Sequence, residues 1–194
     1  RPILRGRDIK RYKYDWKGLW LIGLFPSRHY DIDTLPAIKK YLLDFGFDRL
    51  KQTGEPGARK KTSNKWFETQ DTIAYWEDFK QPKLLYREIS TSMDAVYVNS
   101  DMFINNKAYL ITGKKTKYLS IFFNSQFFTK IFLSAANTTG GKGPDFLLPL
   151  RIFNPPENIE KQLIALAEKA EYEKAELLIC QCYQLSEKEI NYIL

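Results

Sequence analysis

Two rhythms of apolar residues run along the chain. Between residues 35 and 50, "LPAIKKYLLDFGFDRL" sets Leu35, Ile38, Leu42, Leu43, Phe45 and Leu50 near helical spacing, with Pro36 at a tolerated first-turn position and Gly46 as an interruption. The spacing predicts a helix laid on a sheet by an apolar stripe. After Pro82 the rhythm changes to short runs rich in Val, Ile and Tyr: "KLLYREIS", "DAVYVNSDMFIN" and "KAYLITG". Parted by Ser, Asn and Asp, these read as strands joined by short turns. The apolar run Leu19–Leu24 near the start fits a buried strand.

Further on, "YLSIFFNSQFFTKIFLSAAN" reads as a buried helix with polar interruptions at Asn124, Ser125 and Lys130, a strand for part of it staying open. The glycines and prolines of "TTGGKGPDFLLPLRIFNPP" demand irregular backbone, with "FLLPLRIF" as a short strand. From Glu157 the pattern is a helix of several turns, after which Ser186-x-x-Glu189 forms a capping box opening a last short helix. The predicted class is mixed α/β (α+β), a single mixed-sheet domain with flanking helices. Its core spans 1–156, and 157–194 is a C-terminal helical segment.

Length and charge narrow the function. At 194 residues the chain suits one domain with a sizeable core, and no apolar stretch approaches the roughly 20 residues of a membrane span. It opens on Arg1 with no apolar leader, as expected for a soluble piece of a longer protein. Cys180 and Cys182 form a CxC in which an i, i+2 disulfide would be strained, which favours a reducing cytoplasmic compartment. The formal charge is +7, unevenly placed: of 30 cations and 23 carboxylates, 4 and 8 lie in 157–194, leaving 26 and 15, a net of +11, in 1–156. An anionic partner would meet that basic part.

Catalytic chemistry finds little support. His29 sits beside Arg28 in a turn-like stretch without a nucleophile at a telling spacing, and is read as a surface residue. Cys180 and Cys182 are read as helix packing residues. Phosphate-binding, dinucleotide, zinc-protease and serine-hydrolase motifs are absent from the sequence. A metal-dependent nuclease would gather two or three acids, and nothing in the spacing of Asp71, Asp78, Glu88 and Asp101 selects such a set. No metal ligand is therefore assigned.

Cations cluster with hydrogen-bonding partners in three places. Arg5, Arg7, Lys10 and Arg11 belong to an opening with seven cations in 17 residues. Arg59, Lys60, Lys61 and Lys65 interleave with Thr62, Ser63, Asn64 and Trp66 in "GARKKTSNKWFETQD", behind the chain break Gly54-Glu55-Pro56-Gly57. Lys114, Lys115 and Lys117 share "TGKKTKY", and Lys142 stands in the glycine loop "NTTGGKGPD", whose amides could approach a phosphate. Lysines neutralise phosphates, and Asn or Arg side chains on short loops pair with base edges, which makes Asn64, Arg59 and Arg87 the base-reading candidates. Trp66 is a loop anchor or a filler for a flipped-out base; Phe67 is read as core.

The order "LRGRDIKRY" with "LWLI" behind it, "KWFETQD", "FKQPKLLYREIS", "FFNSQFF", "FLLPLRIF" and the tail "CYQLSEKEI" resembles the TaqI-like C-terminal specificity domain. This is the target-recognition domain of adenine-specific DNA methyltransferases and type IIG restriction–modification enzymes. The likeness covers almost the whole chain, "RGRDI" and "PKLLYREIS" being its most specific parts. It implies a domain that grips duplex DNA and reads its sequence, while an upstream domain of the parent chain binds S-adenosylmethionine and methylates adenine, with Mg²⁺ where the parent also cleaves. No cofactor is expected in these 194 residues themselves. The methyltransferase motif Asn-Pro-Pro-Tyr is not met by "FNPPEN", where Glu157 takes the aromatic place, so that stretch reads as a strand-to-helix turn. Arg5, Gly6, Arg7 and Asp8 match the family's opening motif, which lies on DNA backbone or against the catalytic neighbour. The isolated chain is expected to be a monomer.

Two other readings stand beside this one. In the first, the chain is a protein-interaction scaffold whose basic surface meets an acidic partner and whose C-terminal helix offers Ile159, Leu163, Leu166, Ala170, Tyr172 and Leu177. In the second it hides an endonuclease, which metal-dependent nicking would reveal.

Overall fold

The computed structural model describes residues 1–88, 93–131 and 152–194. The fold is mixed α/β and divides into two compact units, one of Arg1 and Trp20–Glu77, the other of Pro2–Leu19 and Asp78–Leu194.

The smaller unit is built on α1 (Pro36–Leu50). Pro36 occupies the first turn, and Gly46 adopts φ 121°, a conformation other residues rarely take, so the helix breaks where the sequence interrupts it. Leu35, Ile38 and Leu42 lie on a cluster of Leu24, Ile32 and Phe67, with Trp66 at its margin. The stripe expected to rest on a sheet therefore rests on loop residues. The buried strand expected at Leu19–Leu24 does not form either: Leu24 is buried, but Trp20 is 66% exposed and the stretch holds only a single bridge, at Trp20. A short apolar run satisfies strand periodicity without a second strand to complete its ladder.

The larger unit holds all seven strands of the described residues. β4 (Lys83–Arg87) is the centre of an antiparallel sheet, flanked by β5 (Ala95–Val98) and β7 (Ala108–Thr112). β1 (Ile3–Leu4) pairs in parallel with β6 (Phe103–Ile104), and β2 (Ile9–Lys10) forms a small hairpin with β3 (Lys13–Tyr14). Strand alternation sends Leu84 and Tyr86 to one face of β4 and Leu85 to the other. Leu85 meets Leu4, Ile9, Val96, Val98 and Met102. The opposite face packs on α2 (Thr116–Phe123) through Tyr118, Ile121, Phe122 and Phe123.

The polar interruption expected in the long apolar stretch appears as predicted. α2 ends at Asn124, whose amide is bonded to both Ala95 N (3.0 Å) and Ala95 O (2.7 Å), and helix resumes over 126–131 with Ser125 Oγ accepting from Phe128 N. The expected helix after Glu157 is two helices, α3 (Glu157–Glu168) and α4 (Tyr172–Cys182), because Ala170 turns the chain at φ 57°. The Ser186 capping box then opens α5 (Glu187–Ile193). Leu163, Ala175, Ile179 and Cys180 complete the core under these helices. The glycine loop with Lys142, residues 146–151 of "FLLPLRIF" and residues 89–90 of "YREIS" lie outside the described residues.

Candidate nucleic-acid interface

The cationic stretch read from the sequence becomes a loop, residues 51–70, whose inside and outside differ. Arg59 N donates to Lys51 O (3.0 Å), Gly54 N to Arg59 O (2.9 Å) and Thr62 N to Gln52 O (3.1 Å), folding the chain back on itself. Side chains then fill the gap left by missing ladder bonds. The Arg59 guanidinium donates to Leu50 O (2.7 Å), Glu68 O (2.9 Å) and Trp66 O (2.5 Å). Buried Gln52 donates to Lys65 O (3.1 Å) and Glu68 O (2.9 Å) and accepts from Thr62 Oγ1 (2.7 Å). Asn64 Nδ2 donates to Thr69 O (3.1 Å) and Gln70 O (2.9 Å), and Lys65 N donates to the buried Glu68 carboxylate (2.8 Å). Backbone carbonyls without ladder partners need such donors, since an unpaired buried carbonyl costs about 1–3 kcal/mol.

Lys60, Lys61, Ser63 and Lys65 stay exposed on the outer arc. Among the described residues, Lys60 and Lys61 pair with no carboxylate, whereas Lys51 at the root is held by Asp48 (3.2 Å) and Glu55 (3.3 Å). Partial burial pushes the Arg59 guanidinium below its ordinary value. Trp66 anchors the arc, its ring 5.4 Å from Phe47 and 5.7 Å from Phe67. Phe67 is in the core, as expected, and Lys65 Nζ sits 5.6 Å from its ring centre.

In the larger unit, the opening motif forms a self-contained corner. Arg5 grips Asp8 with two hydrogen bonds of 2.9 Å, and Arg5 N adds a third contact to the same carboxylate at 2.9 Å. The Arg5 side chain, foremost by hydrogen bonding, holds Asp8 below the usual carboxylate range. Gly6 packs so closely that a Cβ there would lie 2.0 Å from Lys107 O. Arg7 and Lys10 remain exposed. Arg11 reaches the buried Glu176 of α4 at 3.1 Å; burial raises that carboxyl above its ordinary value although Gln126 N–H and Arg11 oppose the shift.

The third cation group is largely compensated from within. Lys115 Nζ contacts Glu160 (3.0 Å) and Asn154 (2.6 Å), and Lys117 Nζ contacts Glu168 (2.9 Å). Lys114 is exposed and meets no carboxylate among the described residues. Arg87, a base-reading candidate, donates to Asp94 at 2.7 Å. The acidic C-terminal helices thus return their charge to the domain's own lysines and Arg11.

The groups weighed for catalysis lie apart. His29 is exposed in the left-handed region at φ 48°, Cys180 is buried, and both cysteines are free. Glu88 pairs with Lys107 at 2.9 Å. Among the described residues no three His, Cys, Asp or Glu side chains gather as for a metal ion, and no helix is long and apolar enough to cross a membrane.

Sequence reasoning missed Gln52, Glu68 and Lys83. Lys83 is fully buried, its ammonium shared among Phe79 O (2.7 Å), Gln81 O (3.1 Å) and Ser100 O (2.6 Å), and burial lowers its pKa. A lysine opening a strand and a glutamine after a helix carry no distinctive spacing. Only the carbonyls they meet reveal them.

An exposed lysine arc on a braced loop, in a mixed α/β chain where Arg11, Lys115 and Lys117 are met by carboxylates, presents the kind of charge that an anionic partner meets. The model of the TaqI-like C-terminal specificity domain matches residues 1–148, and the chain belongs to that family, which gives it a specificity role in restriction–modification. A search of curated proteins found no match.

Proposed function

We propose that the chain reads duplex DNA as the specificity domain of a restriction–modification enzyme. It positions the DNA for an upstream adenine methyltransferase domain of the same parent chain. In this reading 1–156 is the recognition core and 157–194 its helical support. S-adenosylmethionine, and Mg²⁺ where the parent cleaves, belong to the neighbouring domains. The working compartment is the cytoplasm, and the isolated chain is a monomer.

The observation that carries the reading is the outer arc: Lys60, Lys61 and Lys65 exposed around Ser63, on a loop held in one shape from inside. Phosphates fix register through such cations, while a short polar side chain between them reaches toward a groove. The larger unit carries exposed charge of its own at Arg7, Lys10 and Lys114, and the Arg5–Asp8 corner orients the segment with Arg7 and Lys10. Family membership supports the same role.

Fluorescence anisotropy of the chain with random-sequence duplex DNA, across a salt series, tests it. Binding with a Kd near the micromolar range at about 0.1 M salt, weakening steeply as salt rises, is the expected result. Absence of binding even at about 0.02 M salt would refute direct DNA contact by this chain.

A further inference from the structure

We propose that Gln52 and Arg59 are positioning residues for sequence discrimination: they set the shape of the 51–70 loop and act on DNA only through the residues that they place. The proposal rests on the reading of the loop as DNA-facing.

Three observations support it. First, Arg59 spans the loop from within, its three donated bonds joining Leu50 at one root to Trp66 and Glu68 at the other. Second, Gln52 is buried at 6% exposure and ties Lys65 O and Glu68 O to Thr62 Oγ1, so that both its amide ends are engaged. Third, the arc alternates: Thr62, Asn64 and Trp66, each tied inside the loop, lie between the outward Lys61, Ser63 and Lys65 side chains. A loop without assigned strands has no ladder to fix its outward groups. Donors to its carbonyls take over that task, and base recognition tolerates only small displacements of the contacting group.

Arg59 is also the wrong candidate for a direct reader. Bidentate pairing with guanine uses two N–H donors side by side, and three of the five on Arg59, one from each nitrogen, already go to carbonyls inside the loop, which turns the guanidinium inward. Its donors, rather than a free charge, are what the loop uses.

The test compares wild type, Arg59→Met, Arg59→Lys and Gln52→Leu, with Lys60→Ala/Lys61→Ala as the phosphate-contact reference. Hydrogen exchange without DNA reads the loop itself, through the amides of Gly54, Thr62 and Glu68, with amides of α1 and of strand 83–87 as folding controls for the smaller and larger unit. Selection from a randomised duplex pool defines the wild-type site, and affinity for that site over a scrambled duplex gives a discrimination ratio. Arg59→Met and Gln52→Leu are expected to speed loop exchange at least 10-fold, leave the α1 and 83–87 amides protected, and lower discrimination at least 10-fold with an unchanged salt slope. Arg59→Lys, which restores one donor nitrogen in place of three, should recover part of both. The lysine reference should show the reverse: a flatter salt slope with loop exchange unchanged.

Unchanged loop exchange in Arg59→Met overturns the positioning role. So does a salt slope lowered by about one in that variant, which would make Arg59 a phosphate contact. Loss of preference at a single base pair with exchange unaltered would make Arg59 a reader. Absence of salt-dependent binding by wild type instead overturns the DNA reading on which the assignment rests, and is told apart because the exchange result stands without DNA.

Discussion

Lys60 and Lys61 offer the sharpest quantitative contrast with Lys115 and Lys117 at the start of α2. If the outer arc lies on phosphates, Lys60→Ala/Lys61→Ala removes two charges with no carboxylate partner among the described residues. Each neutralised phosphate contributes roughly 0.9 to the slope of log K against log salt, so the double variant should flatten that slope by about 1.8. Between 1 M and 0.1 M salt this amounts to a loss of about 60-fold in affinity, or about 2.4 kcal/mol. Lys115→Ala/Lys117→Ala removes two charges from the same sequence total. These are already met by Glu160 at 3.0 Å and Glu168 at 2.9 Å, and the slope should move by less than about 0.5. Anisotropy titrations of the two variants against one random duplex, at five or more salt concentrations spanning about tenfold, read both slopes. An unchanged slope in the Lys60/Lys61 variant removes the loop from the interface. Equal losses in the two variants would show that local compensation by α3 does not decide which lysines meet the DNA.

Three further outcomes follow from the packing. Gly6→Ala places a Cβ 2.0 Å from Lys107 O, a backbone atom without freedom to yield, and should cost on the order of 3 kcal/mol by urea unfolding; a midpoint within error of wild type would contradict the close approach. Asp8→Asn should lower the urea midpoint at pH 7. Since the folded carboxyl titrates below its ordinary value, its stabilisation is present above the carboxylate range and lost as pH falls through the folded pKa, so the gap to wild type should shrink on acidification. Tyr86, buried and pushed up to about 12 chiefly by burial, contributes stability that is complete below about pH 10 and lost as pH rises toward 12. Tyr86→Phe should therefore change little at pH 7 and make alkaline destabilisation shallower, without abolishing it because Tyr12 is also raised to about 12; an unaltered alkaline slope would refute the assignment.

Much of the fold was legible because it depends on local rhythm. β4, β5 and β7 fall inside the runs rich in Val, Ile and Tyr, α1 carries its break at Gly46, and Ser186 caps the last helix. The errors share a cause. Leu19–Leu24 had strand-like composition but is paired only through a single bridge and isolated bonds such as Leu21 N to Arg1 O, and the helix after Glu157 divides at Ala170, where a good helix former adopts φ 57° and Glu171 N donates back to Leu166 O. Neither is a property of the local sequence alone.

For the candidate site, the sequence by itself determined where the cations cluster, that 157–194 is acidic, and that the 57–71 stretch is polar with an aromatic anchor. Only the tertiary structure decided which of those groups remain available. Arg59 and Asn64, chosen as base readers by residue type, have donors engaged by carbonyls of their own loop, and Gln52 joins them though nothing in its spacing marks it. Arg11 meets Glu176 across 165 positions, and Lys117 meets Glu168 across 51. The physical reason is that every residue except proline carries the same backbone donor and acceptor, so a side chain's carbonyl partners are invisible in its sequence, and charge compensation depends on distance in space. Composition sets how many lysines the chain has; folding leaves Lys60 and Lys61 uncompensated.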